Sequence, residues 1–216
     1  MADHAAFVGP TRLCDLALPG THDSATADIT AGSPIDPNGE FGGVTFVQYM
    51  PYAAPSATNV MANWSRNQAF DIAAQLNAGI RYLDLRICDK DGQHWTEHSL
   101  FGTSLATVLQ QVSQFLAANP REIVLLDINH IYGITDYSAL AQYVLSGLGA
   151  KVAPGNRYTP QSKVEDLWSA NVQAIVLFAN ANAVTAHPEL WSQDQICSWW
   201  PKTAIWGHFA PASTAI

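Results

Sequence analysis

Three apolar runs in this chain each end in a cluster of reactive polar residues, and that repetition narrows the fold more than any other feature. Leu16 to Leu18 leads through Pro19-Gly20 into Thr21-His22-Asp23-Ser24, GIRYLDLRIC spans residues 79–88, and REIVLLDINH spans 121–130. An apolar run that stops at such a cluster has the shape of a buried strand delivering side chains to a loop at its C-terminal end. In the second run the two-residue period puts Tyr82, Asp84 and Arg86 on one face and Leu83, Leu85 and Ile87 on the other. Apolar neighbours on both flanks make this a strand covered on both sides, so its charged pair looks into an interior or a cavity. An unpaired charge there is costly, and Asp84 and Arg86 are expected to pair with each other. In the third run Asp127 and Asn129 share a face, and His130 closes it.

The intervening segments carry helical periods. Ser65 reads as an N-cap, followed by Phe70, Ala73, Ala74, Leu76 and Asn77 up to Gly79. Ser104 reads as the cap of the clearest amphipathic helix, with Leu105, Val108, Leu109, Val112, Phe115 and Leu116 at three- and four-residue steps, stopped by Asn119-Pro120. Further helices are expected over Tyr137–Leu148 and Val164–Trp168, and strands over Leu13–Leu18, His94–His98 and Gln173–Phe178. Strand–helix–strand alternation predicts parallel strands with right-handed crossovers. No Gly-x-Gly-x-x-Gly or Walker loop accompanies them, which weighs against nucleotide-binding sheets. Polar residues at the ends of several strands favour a TIM-like (β/α) barrel of the α/β class. About five or six strands are visible against the eight that closure needs, so the barrel is expected to be reduced, incomplete or truncated at the C-terminus. The chain reads as one domain, 1–216. A Pro/Gly/Ala-rich insert at about 25–61, with Phe41, Phe46, Tyr49, Met50 and Tyr52, is placed either as a rim or lid over the His22 loop or as a loosely ordered excursion.

Composition removes several classes. The 18 acidic residues exceed the 10 basic ones and no basic run exists, so a nucleic-acid partner is not expected and any phosphate recognition must be local. Cys14, Cys88 and Cys197 form no CxxC pair; the first two lie in apolar runs and read as buried thiols, not as a zinc site. No apolar run reaches the ~18 residues of a membrane span and no signal-like leader is visible; the expected compartment is cytoplasmic or secreted.

Histidine is the side chain best poised near neutral pH, and an adjacent carboxylate sets its tautomer or raises its basicity. His22-Asp23 and Glu97-His98 are therefore candidates for proton transfer. Each has a plainer reading, a turn or N-cap for the first and a surface pair for the second. His94 and His130 read as structural or as outer members of a site, and Arg81 as solvated or helix-packing.

PGTHDS, GIRYLDLR, EHSLFGTSL and EIVLLDINH occur in that order, and together they resemble the X domain of the phosphatidylinositol-specific phospholipases C, its small single-domain members above all. The resemblance implies a phosphodiesterase that forms a cyclic phosphate. It makes His22 the general base, His98 the general acid, Asp23 the carboxylate supporting that acid and Arg86 the phosphate contact, with Asp84 beside it. Arg86 together with Asp23 matches the metal-independent bacterial pattern, so no cofactor is implied. Asp127, Asn129 and His130 are carried as substrate-binding candidates. The implied substrate is a phosphoinositide or other phosphodiester, with peripheral contact to a membrane surface. The acidic residue that orients the base in bacterial members is expected beyond Trp200, where no counterpart can be placed. Two alternatives stand beside this: a calcium- or magnesium-dependent glycerophosphodiesterase or sphingomyelinase-like enzyme using Asp84, and an inactive fragment or phosphate- or inositol-binding module.

Overall fold

The structure, a computed structural model, describes residues 1–39 and 55–196. Its elements run α1 (Ala5–Val8), a 3-10 turn at Leu13–Asp15, β1 (Gly20–Thr21), α2 (Pro55–Ser65), α3 (Ile72–Asn77), β2 (Tyr82–Lys90), β3 (Gln93–His98), β4 (Leu100–Ser104), α4 (Leu105–Ala118), β5 (Val124–Tyr132), α5 (Tyr137–Leu148), α6 (Val164–Ser169), β6 (Ala174–Phe178), α7 (Ala181–Ala186) and β7 (Trp191–Ser192). One sheet orders them β4-β3-β2-β5-β6-β7, with β1 pairing the start of β2. The pairs β1–β2, β2–β5, β5–β6 and β6–β7 are parallel. β3 and β4 are an antiparallel appendix on β2, entered through a two-residue turn at Asp91-Gly92 in which both residues have positive φ. Among the described residues the sheet stays open, an α/β sheet with flanking helices that resembles part of a (β/α) barrel.

The alternation along the strands sorts two cores. Leu83, Leu85, Ile87, Val124, Leu126, Ile128, Val176 and Phe178 face outward onto α3, α4 and α5, where Leu76, Val108, Val112, Leu116, Leu140 and Val144 meet them. Each such fully buried aliphatic side chain contributes roughly 1.5–3 kcal/mol. The opposite face carries Leu125, Ile175, Leu177 and Trp191, covered by Tyr158, Val164 and Leu167 and by Leu13, Leu16 and Leu18. A cavity of about 790 Å³ lies against this face, lined by Leu13, Leu16, Leu18, Tyr82, Leu125 and Ile175.

Local chemistry explains the element ends. Ser104 Oγ accepts from the Thr107 amide at the start of α4, as its position in the sequence predicts, and Asp136 and Asn180 cap α5 and α7 in the same way. Three expectations need correction. The first strand is Gly20–Thr21 and not Leu13–Leu18, because residues 13–15 close a 3-10 turn. That turn breaks the alternation, and Cys14 is exposed where a buried thiol was expected; Cys88 is buried. Ser65 ends α2, and the cap of the next helix is Asp71, whose carboxylate accepts from Ala74 N. Of the two readings of Arg81 the helix-packing one holds: its guanidinium bonds Glu122 and the carbonyls of Leu76 and Ile80 and lies over Phe115. The insert expected at 25–61 holds turns up to residue 39 and the helix α2 at its end. Its aromatic stretch Phe41–Tyr52, like Cys197 and the Trp199-Trp200 block, lies outside the described residues.

Candidate active site

The loop after β1 is held before any charge is considered. Ser24 N donates to Asp84 O, and Asp84 N donates to Ser24 Oγ, both at 2.9 Å, so the loop continues the pairing of β1 along β2. Buried Gln75, from α3, gives its amide to Ser24 O at 2.7 Å and accepts from Thr21 Oγ1 at 2.7 Å. Thus anchored, Asp23 keeps a left-handed φ of 47°, a conformation Asp tolerates better than most residues. Its side chain is fully buried.

Asp23 is the hub. Its Oδ2 lies 2.9 Å from His22 Nε2 and 3.3 Å from His98 Nδ1, and its Oδ1 lies 2.6 Å from Arg86 Nε. The arginine's N–H is directed off that line, so the contact is held by charge more than by hydrogen-bond direction. Asp84 takes the other side of His22, with Oδ2 at 2.6 Å from Nδ1. The expected Asp84–Arg86 pair therefore does not form: Asp84 goes to His22 and Arg86 to Asp23. The reason lies in the β1 loop, which offers each a nearer partner, His22 to Asp84 and Asp23 to Arg86; the β2–β5 register also shifts here, with Asn129 the extra residue on β5.

His98 arrives from the tight reversal between β3 and β4, where Ser99 sits alone at φ 64° between the paired His98 and Leu100. The His22 and His98 ring centroids are 6.4 Å apart, edge to face. Asn129 gives its amide to Asp84 Oδ1, and His130 Nδ1 meets Asn129 Oδ1 at 2.7 Å, so His130 stands one contact further out. Asp127 is in register with Asp84, but its carboxylate accepts from Tyr82 OH and from Gln193 Nε2. His22, Asp23, Asp84, Arg86, His98 and Asn129 thus converge; Asp127 and His130 flank them.

Two partners escaped the sequence. The carboxylate on His22 Nδ1 is Asp84, sixty-two residues on in the chain; the positions beyond Trp200, where the orienting residue was expected, lie outside the described residues. The strap Ser65–Gln68 between α2 and α3 is the other. Ser65 O faces His98 Nδ1 at 3.1 Å, Asn67 Nδ2 donates to Asp23 Oδ2 at 2.6 Å, and Gln68 Nε2 donates to His22 O at 2.7 Å. Nothing in that short polar stretch distinguishes it locally from a helix start.

The electrostatics follow from the contacts. Hydrogen bonds to Asp23 and then to Asp84, opposed by burial, raise the His22 pKa to about 9. Burial works against an ionised Asp84, yet its bonds to His22, the Asp23 amide and Asn129 hold it below the ordinary carboxylate range. Burial raises Asp127 despite its bonds to Tyr82 and Gln193. His22, Asp23 and Asp84 offer ligand atoms within 4.8 Å of one another, the spacing of a cation site. The short imidazole–carboxylate contacts and the Arg86 charge on Asp23 use the same lone pairs, and a cation there would have to displace them.

An open, mostly parallel α/β sheet that gathers two histidines around shared carboxylates at its strand ends defines the class. The PI-PLC X family model matches residues 44–169, which include Asp84, Arg86 and His98 and begin after His22. The chain belongs to this family. It is 32% identical to the zebrafish "PI-PLC X domain-containing protein 3" over 197 residues, 88% of this chain and 60% of the relative. It is 31% identical to human "PI-PLC X domain-containing protein 1" over 195 residues, 86% of this chain and 57% of the relative. The chain therefore spans about 60% of the length of such relatives. The fold is similar to that of a phosphatidylinositol-specific phospholipase C from S. aureus, with TM-score 0.59, 13% identity and coverage of 91% of this chain and 58% of that one. The Listeria monocytogenes enzyme of the same name gives TM-score 0.53 at 23% identity, covering 82% and 56%.

Proposed function

We propose that this chain is a metal-independent phosphodiesterase of the phosphatidylinositol phospholipase C type. The observation that carries the reading is the pair of imidazoles 6.4 Å apart, bridged by a buried carboxylate that also holds Arg86. Cleaving a phosphodiester through a neighbouring hydroxyl needs a base on one side, an acid on the other and positive charge where the phosphorane develops. His22, with Nδ1 held by Asp84, loses its Nε2 proton to solvent as the hydroxyl displaces Asp23 from that atom, and the neutral ring then takes the hydroxyl proton at Nε2. The oxygen attacks phosphorus and the bond to the leaving oxygen breaks. His98 protonates that oxygen, and a cyclic phosphate results. Arg86 presents a planar fork of donors to the phosphoryl oxygens.

A lipid-borne substrate is favoured by the surface beside the site. Val60 and Trp64, one helical turn apart on α2, are 50% and 78% exposed, and Phe70 is 62% exposed. The α2 sequence PSATNVMANWS carries no charge, and its last residue contacts His98. These apolar side chains suit an interface with a lipid surface. Among the described residues no helix is long and apolar enough to cross a membrane.

The test is cleavage of phosphatidylinositol vesicles with and without a chelator. Activity is expected to survive the chelator and to fall by about 10²–10⁴ in His22→Ala. Trp64→Ala is expected to lose activity on vesicles and keep it on a soluble inositol phosphodiester. Full activity in His22→Ala would sink the mechanism, and abolition by the chelator would favour the cation at Asp84.

A further inference from the structure

We infer that Asn67 is a positioning residue for the acid–base pair, its amide fixing which oxygen of Asp23 serves the histidines and which serves Arg86. The inference rests on the proposed reaction and concerns a residue outside the four sequence blocks that carry the resemblance. Oδ2 of Asp23 receives three groups: Asn67 Nδ2 at 2.6 Å, His22 Nε2 at 2.9 Å and His98 Nδ1 at 3.3 Å. The shortest belongs to Asn67. Its amide orientation is set by chemistry, because a carboxylate oxygen accepts only an N–H and would repel the amide oxygen. Asn67 Nδ2 is also 3.4 Å from His98 Nδ1, but that contact adds no bond. Ser65 O, 3.1 Å from the same ring nitrogen, can only accept, so Nδ1 carries a proton and meets another donor. The amide of Asn67 is therefore committed to Asp23.

The backbone of the same residue is held independently. Asn67 N donates to Thr26 Oγ1 at 3.0 Å, and that hydroxyl donates to Asp23 O at 2.8 Å. The strap is thus stitched to the Asp23 loop whatever side chain stands at position 67. The side-chain bond has one remaining effect, which is to stop the carboxylate turning about its own axis. Released, Asp23 can rotate both oxygens toward the arginine fork, the geometry guanidinium favours, and Oδ2 leaves the histidines. Substrate binding would be little changed and the proton-transfer steps would slow.

Asn67→Leu, which keeps the volume and removes the donor, is expected to lower kcat by about 10-fold or more with KM within about threefold. Asn67→Ser, which restores a donor, should recover part of that loss. A second readout needs no substrate: the low-field imidazole N–H signals of the ligand-free protein, assigned with His22→Gln and His98→Gln. They are expected to shift or broaden in the Leu variant and to return toward their original positions in the Ser variant. If wild type cleaves no phosphodiester, the proposed function fails while these signals still decide the role of Asn67. Unchanged signals in Asn67→Leu, a loss confined to KM, or equal defects in Leu and Ser would each overturn it. Asn67→Ala replaces the Leu variant should that side chain prevent folding.

Discussion

The two faces of β2, one residue apart, are built on opposite principles. Leu83, Leu85 and Ile87 are at most 1% exposed and lie in an apolar core, where any side chain of similar volume and polarity would pack acceptably. Asp84 and Arg86 meet charged and polar groups drawn from the β1 loop, from β5 and through Asp23 from the strap before α3. The apolar face tolerates exchange but not loss of volume. On the polar face a change of volume matters less than the loss of one donor, because each buried carboxylate oxygen is matched to particular N–H groups.

Three substitutions would break or sharpen that contrast. The largest effect is expected on the apolar face: Leu126→Ala should cost about 2–5 kcal/mol in denaturant unfolding, with the activity per folded molecule unchanged. A stability loss below about 1 kcal/mol would mean that the outer core is looser than its burial implies.

On the polar face the expected signature is pH dependence. The folded pKa of His22, about 9, lies above its ordinary value of 6.5. Its contribution to stability is therefore fully present below pH 6.5 and is lost as pH rises through about 9. Melting temperatures taken between pH 6 and pH 10 should show this decline in wild type and a flatter course in His22→Gln. Identical profiles would mean that the two carboxylates do not hold a charged imidazole.

The smallest effect belongs at the edge of both faces. Ser104→Ala removes the bond to Thr107 N and should cost about 1 kcal/mol, measurable as a lower unfolding midpoint with normal kcat.

Legibility divides along the same line. The outer core could be read from the periods alone, since Leu105 to Leu116 at helical steps and Leu83 to Ile87 at strand steps mark buried faces without knowledge of their partners. Ser104 declared itself as a cap for the same local reason. The first strand was misplaced because Leu13–Leu18 is apolar enough for a strand, while Leu13 N and Cys14 N are bound by Ser162 O and Pro160 O in a turn. Of the site, His22, Asp23, Asp84, Arg86 and His98 stood out as residues and the resemblance paired Asp23 with His98, yet the pairs Asp84–His22 and Asp23–Arg86 did not stand out. Asp84 and Arg86 share a strand face, and no sequence pattern announces that the β1 loop gives each a separate partner.

What the chain's order of residues determined is which side chains are buried and which strand ends carry chemistry, because those follow from periodicity and from the cost of exposing apolar surface. Only the tertiary structure decided that Asp84 serves His22, that Asp23 joins two histidines to Arg86, and that Asn67 reaches them. Apart from the neighbours His22 and Asp23, those contacts join residues 44 to 75 apart, and hydrogen bonds of a few ångströms are set by how strands and loops are placed in space, not by the spacing of residues along the chain.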